Sequence, residues 1–176
     1  ARNIGLVFCF FLLLGAGKKR LEIPSSHHGG KVIEHQGYVL SYIEENEQAE
    51  WVAYELTDQE LKGTAKRANN FRPDPAVITG SAEPSDYKGS GYDLGHLAPA
   101  ADMKWTEQVM SESFFLSNMS PQEPGFNRGI WSRLEKAVRG WAKANKRIYV
   151  TTGPVLKKGL PSIGKNKVSV PALYYK

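Results

Sequence analysis

From Lys31 to Leu56 the chain is dominated by β-branched and aromatic residues, in the runs Val32-Ile33, Tyr38-Val39-Leu40-Ser41-Tyr42 and Trp51-Val52-Ala53-Tyr54. Such runs fit a pleated, half-buried surface and predict antiparallel strands that open a sheet. Gly37 and the polar run Glu44 to Gln48 supply the turns. Thr57-Asp58-Gln59-Glu60-Leu61 predicts a short capped helix. Periodicity is then lost from Asn69 to Gly91, a long connection punctuated by proline and glycine. Connections of that length inside a domain are functional or disordered, and this one runs straight into Asp93-Leu94-Gly95-His96, which favours function.

The pattern returns as a helix over Met103 to Ser113 and a short buried strand over Phe114-Phe115-Leu116, broken by Pro121 to Gly125. Ile130, Trp131, Leu134, Ala137, Val138 and Trp141 recur at helical spacing and predict a helix from about Asn127 to Ala144. Arg147 to Thr152 predicts a strand ended by Gly153-Pro154. Val168 to Pro171 and Leu173 to Tyr175 predict a further strand pair. No internal repeat or low-complexity segment interrupts this order.

The N-terminal region follows a different pattern. Ile4 to Leu14 is a continuous apolar run, short for a membrane span and of the length of a signal-peptide core, with Gly15-Ala16-Gly17 after it. Residues 1–17 are therefore expected to be a signal peptide or membrane anchor, so that the protein is exported and any membrane contact is made there. The alternative is a buried apolar strand or helix, and Lys18-Lys19-Arg20 directly after the run favours it. Residues 18–31 read as a linker. His27-His28 within it is a polar stretch without a third metal ligand at suitable spacing. Residues 32–176 read as one domain, expected to be truncated at its C-terminus because the chain stops within a strand-like pattern.

Composition narrows the class. A chain of 176 residues, 41% hydrophobic and 23% charged, suits a globular domain with a sizeable core. The net charge of +5 and pI of about 9.2 are compatible with a polyanionic partner without demanding one. The one cysteine, Cys9, excludes an intrachain disulfide.

The candidate chemistry lies in three ordered blocks: Asp93-Leu94-Gly95-His96, Leu116-Ser117-Asn118-Met119-Ser120-Pro121-Gln122, and Asn127-Arg128-Gly129-Ile130-Trp131 followed by Leu134-Glu135. Histidine can activate a water and oxygen ligands can hold a hard cation. Together the blocks resemble the DNA/RNA non-specific endonuclease family of the ββα-metal superfamily, over about Val32 to Lys176. The resemblance implies an α+β fold, a central antiparallel sheet with the active-site helix packed on it. It also implies magnesium-dependent hydrolysis of DNA and RNA without sequence specificity, leaving 5′-phosphate ends. Manganese is the alternative cation.

Residue by residue, the resemblance makes His96 the general base; alone, it could equally end a strand and bond locally. Gly95 is expected to give the backbone unusual freedom beside it. Asn127 becomes the magnesium ligand, although an asparagine there is also what a helix N-cap looks like. Asn118 becomes an active-site amide orienting His96 or the metal's waters, where the bland reading is a turn. Glu135, eight residues after Asn127, becomes an acceptor for metal-bound water, or a surface partner for Arg139. Arg133, Lys136, Arg139 and Lys143 form a basic helix face suited to phosphates or simply solvated. Arg139 is the residue expected to touch a phosphate, with Arg67 as a second candidate. One position departs from the family pattern: Leu94 stands where the motif carries arginine. That leaves a second reading, a degenerate relative that binds nucleic acid without cleaving it.

Overall fold

The computed structural model describes residues 22–24 and 29–176. The apolar run with Cys9 and the His27-His28 pair lie outside the described residues. The main sheet has five antiparallel strands in the order β1 (Lys31–Glu34), β2 (Val39–Ile43), β3 (Gln48–Thr57), β6 (Arg147–Pro154) and β9 (Tyr174–Tyr175). Central β3 is buried on both faces. Trp51 and Ala53 pack with Val39 and Ile23 on one side, while Ala49, Val52, Tyr54 and Leu56 join the main core on the other. Ala49 and Val52 share a face despite odd spacing because a bulge opposite Ser41/Tyr42 inserts Glu50. Glu50 accepts a hydrogen bond from Ser41 Oγ at 2.6 Å. Within the stretch read as linker, the Glu22 carbonyl accepts from Thr151 Oγ1 at 2.9 Å.

The predicted capping box is present. Glu60 accepts from the Thr57 amide and hydroxyl, and Thr57 Oγ1 accepts from the Glu60 amide, but the turn it starts is a short 3-10 turn, Glu60–Lys62. In the long connection, α1 spans Pro84–Tyr87. The helix expected over Met103 to Ser113 is confined to α2, Glu107–Glu112, capped by the Thr106 hydroxyl.

Three expectations require correction. Phe114-Phe115-Leu116 is no strand: Phe115 makes an isolated bridge to Arg72, and Leu116–Asn118 forms a 3-10 turn. The strand begins one turn later as β5 (Met119–Gln122), containing Pro121 and paired with β4 (Asp93–His96) in a separate two-stranded sheet. A two-stranded pair leaves one side of each strand without a partner, so proline's missing N–H is tolerated there. Val168 and Leu173 do not start strands that pair together. β8 (Val168–Ser169) pairs with β7 (Ser162–Ile163) across a turn holding Gly164 at φ 68°, while β9 pairs with β6. The pairing of Gly153 and Pro154 with Tyr175 and Tyr174 also carries β6 past its expected end.

The helical segment comprises α3 (Pro124–Phe126), a wide π turn (Asn127–Trp131) and α4 (Ser132–Asn145). Leu134, Val138 and Ala142 pack with Tyr54, Leu56 and Val150, seating α4 on the main sheet. Ile130 and Trp141, assigned to this stripe by spacing, are each 55% exposed. Ile130 falls in the π turn, where the 3.6-residue period fails, and Trp141 lies at the stripe's edge. β4, β5 and this segment together form a ββα unit, which matches the expected fold class.

A buried polar cluster ties the long loop to the frame. Asp74 accepts from the Ser117 hydroxyl, pairs with His35 Nε2 at 2.9 Å and accepts from the Ala76 amide. Burial raises the Asp74 carboxyl, and the bonds from His35, Ser117 and Ala76 outweigh it, holding the group below its ordinary range. Asp74→Ala strands the His35 ring nitrogen and the Ser117 hydroxyl. It is expected to cost about 3 kcal/mol in chemical denaturation. A loss below about 0.5 kcal/mol, the range of an uninvolved surface site, would refute that role.

Candidate active site

β4 and the π turn are clamped together at both ends. At one end Asp93 accepts from the Asn127 side-chain Nδ2 at 2.9 Å and from Arg128 Nε and Nη2 at 2.8 and 2.6 Å. At the other, Trp131 Nε1 donates to the His96 carbonyl at 3.3 Å. Between them lies a cavity of about 360 Å³, lined by Arg67, Leu94, His96, Asn127, Arg128, Ser132 and Glu135, with Pro99, Ala100 and Ala101 at its edge. A larger cavity of about 840 Å³ beside the β7–β8 hairpin contains none of these residues.

The Gly95 φ is not positive, so backbone freedom is not what the position uses; a Cβ there would run into the buried Gln122 side chain on the paired strand. His96 follows at the end of β4, only 8% exposed. The rings of Phe71 and Phe114 meet it edge-on at 5.8 and 5.0 Å. Its Nε2 is buried with no hydrogen-bond partner among the described residues. Burial, then the positive charges of Arg67 and Lys176, press the His96 pKa down to about 3. The ring is thus neutral near pH 7.

The sign of the resulting stability effect is fixed. A histidine has an ordinary pKa of about 6.5 when unfolded, so between about pH 6.5 and 3 the unfolded chain binds the extra proton. The contribution of His96 is therefore complete above pH 6.5 and is lost as pH falls towards 3. Between pH 6 and 4, the unfolding free energy of His96→Ala is expected to fall less steeply than that of the wild type. The slopes differ by up to about 1.4 kcal/mol per pH unit. Identical slopes would show that His96 titrates normally.

Asn127 is not the helix N-cap: its φ and ψ are helical, and its amide donates to the Glu123 carbonyl at 2.8 Å. With Nδ2 held by Asp93, Oδ1 is the amide atom left to act as a ligand. Glu135 lines the same cavity. Burial raises its carboxyl above the ordinary range, opposed first by the charge of Lys176. No cluster of three histidine, cysteine, aspartate or glutamate side chains occurs among the described residues. One amide oxygen and a nearby carboxylate form a sparse, all-oxygen donor set. That suits a magnesium ion, which keeps most of its waters.

Asn118 is not at the cavity. Its Oδ1 accepts from the Ala98 amide at 2.9 Å, and its Nδ2 donates to the Ala98 and Ser113 carbonyls at 2.9 and 2.8 Å. Its own carbonyl accepts from the Leu97 amide. Every side-chain bond goes to backbone, so Asn118 fixes the chain leaving His96 rather than facing the ring or a cation's waters.

Arg67 lies on the cavity, its Nε donating to Asn69 Oδ1 at 2.8 Å and its guanidinium 4.9 Å from the Phe114 ring centre. Arg139 does not extend the exposed basic face. Its Nη1 pairs at 3.0 Å with Asp102, which also accepts from Tyr54. Arg133, Lys136 and Lys143 are exposed, and none makes an ion pair among the described residues. Four further residues shape the site without having been singled out for it: Asp93, Arg128, Asp102 and Lys176. Lys176 Nζ donates to the Leu97 carbonyl at 2.9 Å and lies 5.1 Å from the Trp131 ring centre. Burial, opposed by Glu135 and Asp102, lowers its pKa to about 8.

The model of the DNA/RNA non-specific endonuclease family matches residues 17–176. The chain is 37% identical over 153 residues to mitochondrial endonuclease G of Homo sapiens, a match covering 80% of this chain and 52% of that protein. It is 41% identical over 141 residues to a nuclease of Nostoc sp., covering 79% of this chain and 50% of that one. A solved structure of the EndoG/EndoGI complex superposes with a TM-score of 0.75 at 34% identity. It covers 81% of this chain and 64% of that one. The chain thus spans about half the length of the curated relatives it matches.

Proposed function

We propose that this chain, which belongs to the DNA/RNA non-specific endonuclease family, is a magnesium-dependent endonuclease. It cleaves DNA and RNA without sequence specificity and leaves 5′-phosphate ends. The observation that carries the reading is the neutral His96, with its buried, unpartnered Nε2, on one cavity with Asn127, Glu135 and Arg67.

His96 takes a proton from the attacking water. Its low proton affinity in the free protein comes from burial and from the charges of Arg67 and Lys176. A phosphodiester anion in the cavity offsets those charges and raises that affinity where the proton is transferred. Arg67 donates to phosphate oxygens, and Asp93 holds the Asn127 Nδ2, leaving Oδ1 as the atom that would hold the cation. Glu135 would accept hydrogen bonds from the waters of such a cation. Asn118 keeps the backbone after His96 in register. Magnesium held at Asn127 would supply Lewis-acid charge for the phosphate oxygens. Phosphate and sugar contacts do not distinguish bases, which accounts for the breadth of substrate. Arg133, Lys136 and Lys143 extend the phosphate-binding surface outside the cavity. Export rests on the Ile4–Leu14 run alone.

Digestion of supercoiled plasmid and of structured RNA, with magnesium, with manganese and with a chelator, tests the proposal. Cleavage of both substrates is expected with divalent cation and none with chelator. Tight binding of DNA without cleavage in any cation would favour the degenerate relative.

A further inference from the structure

We propose that Arg128 binds a substrate phosphate and that Asp93 is the positioning residue that sets both this clamp and the cation ligand Asn127. The inference rests on the nuclease reading and adds a residue and a coupling to it. Leu94 gives that wall of the cavity no charge, so positive charge must come from elsewhere on the lining. Arg67 and Arg128 are the two arginines there.

Arg128 is unusual for an exposed side chain. It is 72% exposed, yet Nε and Nη2 are both held, at 2.8 and 2.6 Å, by a carboxylate that is only 17% exposed. Freely solvated arginines sample many rotamers; this one is oriented before any ligand arrives. Two of its five N–H groups are used, and the remaining three, including both on Nη1, are available to phosphate oxygens. The same Asp93 Oδ2 that accepts from Arg128 Nε also accepts from Asn127 Nδ2. One carboxylate therefore sets the spacing between a cation seat and a phosphate donor. Both lie on one π turn, with Gly129 outside helical geometry (φ −98°, ψ −106°) between them and α4.

The test uses the full chain and a short DNA duplex, with cleavage measured in magnesium and equilibrium binding measured in chelator over a range of salt. Arg128→Gln is expected to weaken binding about tenfold, lower the salt slope by roughly one unit and raise KM more than it lowers kcat. Leu94→Arg in the Arg128→Gln background is expected to restore binding, since it returns charge to the same cavity. Asp93→Ala separates positioning from simple charge. If charge alone mattered, deleting the carboxylate would tighten DNA binding and leave cleavage intact. Positioning instead predicts at least a tenfold fall in cleavage and a higher magnesium requirement, partly recovered by Asp93→Asn. Wild-type binding, salt slope and cleavage in Arg128→Gln would overturn the proposal. A wild-type chain that never cleaves would refute the nuclease reading instead, and the salt slope of Arg128→Gln would still decide the arginine's role.

Discussion

His96→Ala is expected to reduce phosphodiester cleavage at least about a hundredfold, the scale of a positioned general base, while leaving the protein folded. Among the described residues the ring makes no side-chain hydrogen bond whose loss would strand a partner, and its Nε2 has no partner there. What the variant loses is packing against Phe71 and Phe114, so some stability near pH 7 goes with it. Thermal unfolding measured beside the cleavage rate separates the two effects. A folded variant cleaving within a few-fold of wild type would remove His96 from the chemistry.

The second large effect is expected at Asn127. Its Nδ2 is committed to Asp93, and its Oδ1 is the ligand atom on offer. Asn127→Ala removes that ligand and is expected to cost a hundredfold or more at low magnesium. Part of the loss should return as magnesium is raised, because the cation retains its waters and the substrate phosphate. Asn127→Asp is not a conservative rescue. It replaces a donor to Asp93 with a second carboxylate, and like charges at hydrogen-bond distance repel. Asn127→Asp is therefore expected to titrate magnesium but cleave poorly. Calorimetric titration of magnesium into wild type and both variants checks this. Unaltered magnesium dependence in Asn127→Ala would move the cation elsewhere.

The periodic elements were legible because they obey local rules. The β1–β3 run, the Thr57/Glu60 capping box and the apolar stripe of Leu134, Val138 and Ala142 all follow from spacing within a few residues. Of the ordered motif, His96, Asn127 and Glu135 line one cavity, and Arg67, read separately from it, lines the same cavity. Features set by partners distant in sequence escaped. Pro121 reads as a breaker until β4 is known to be the strand it pairs with, and Asn118 reads as an active-site amide until Ala98 and Ser113 are seen to take its bonds. Arg139 reads as part of a basic face until the buried Asp102 is placed opposite. Asp93 stood inside the quoted motif, but its hold on Asn127 and Arg128 spans more than thirty residues. The π turn likewise leaves no periodic signature, because it is a local departure from the helix period.

In the proposed reaction, water activated at His96 attacks phosphorus and expels the 3′ oxygen. The most direct measurement is cleavage in ¹⁸O-enriched water with magnesium, followed by mass analysis of the fragment ends. One ¹⁸O atom in each new 5′-phosphate, with unlabelled 3′-hydroxyls, is the predicted result. Fragments ending in 3′-phosphate or cyclic phosphate, or 5′-phosphates without label, would contradict it.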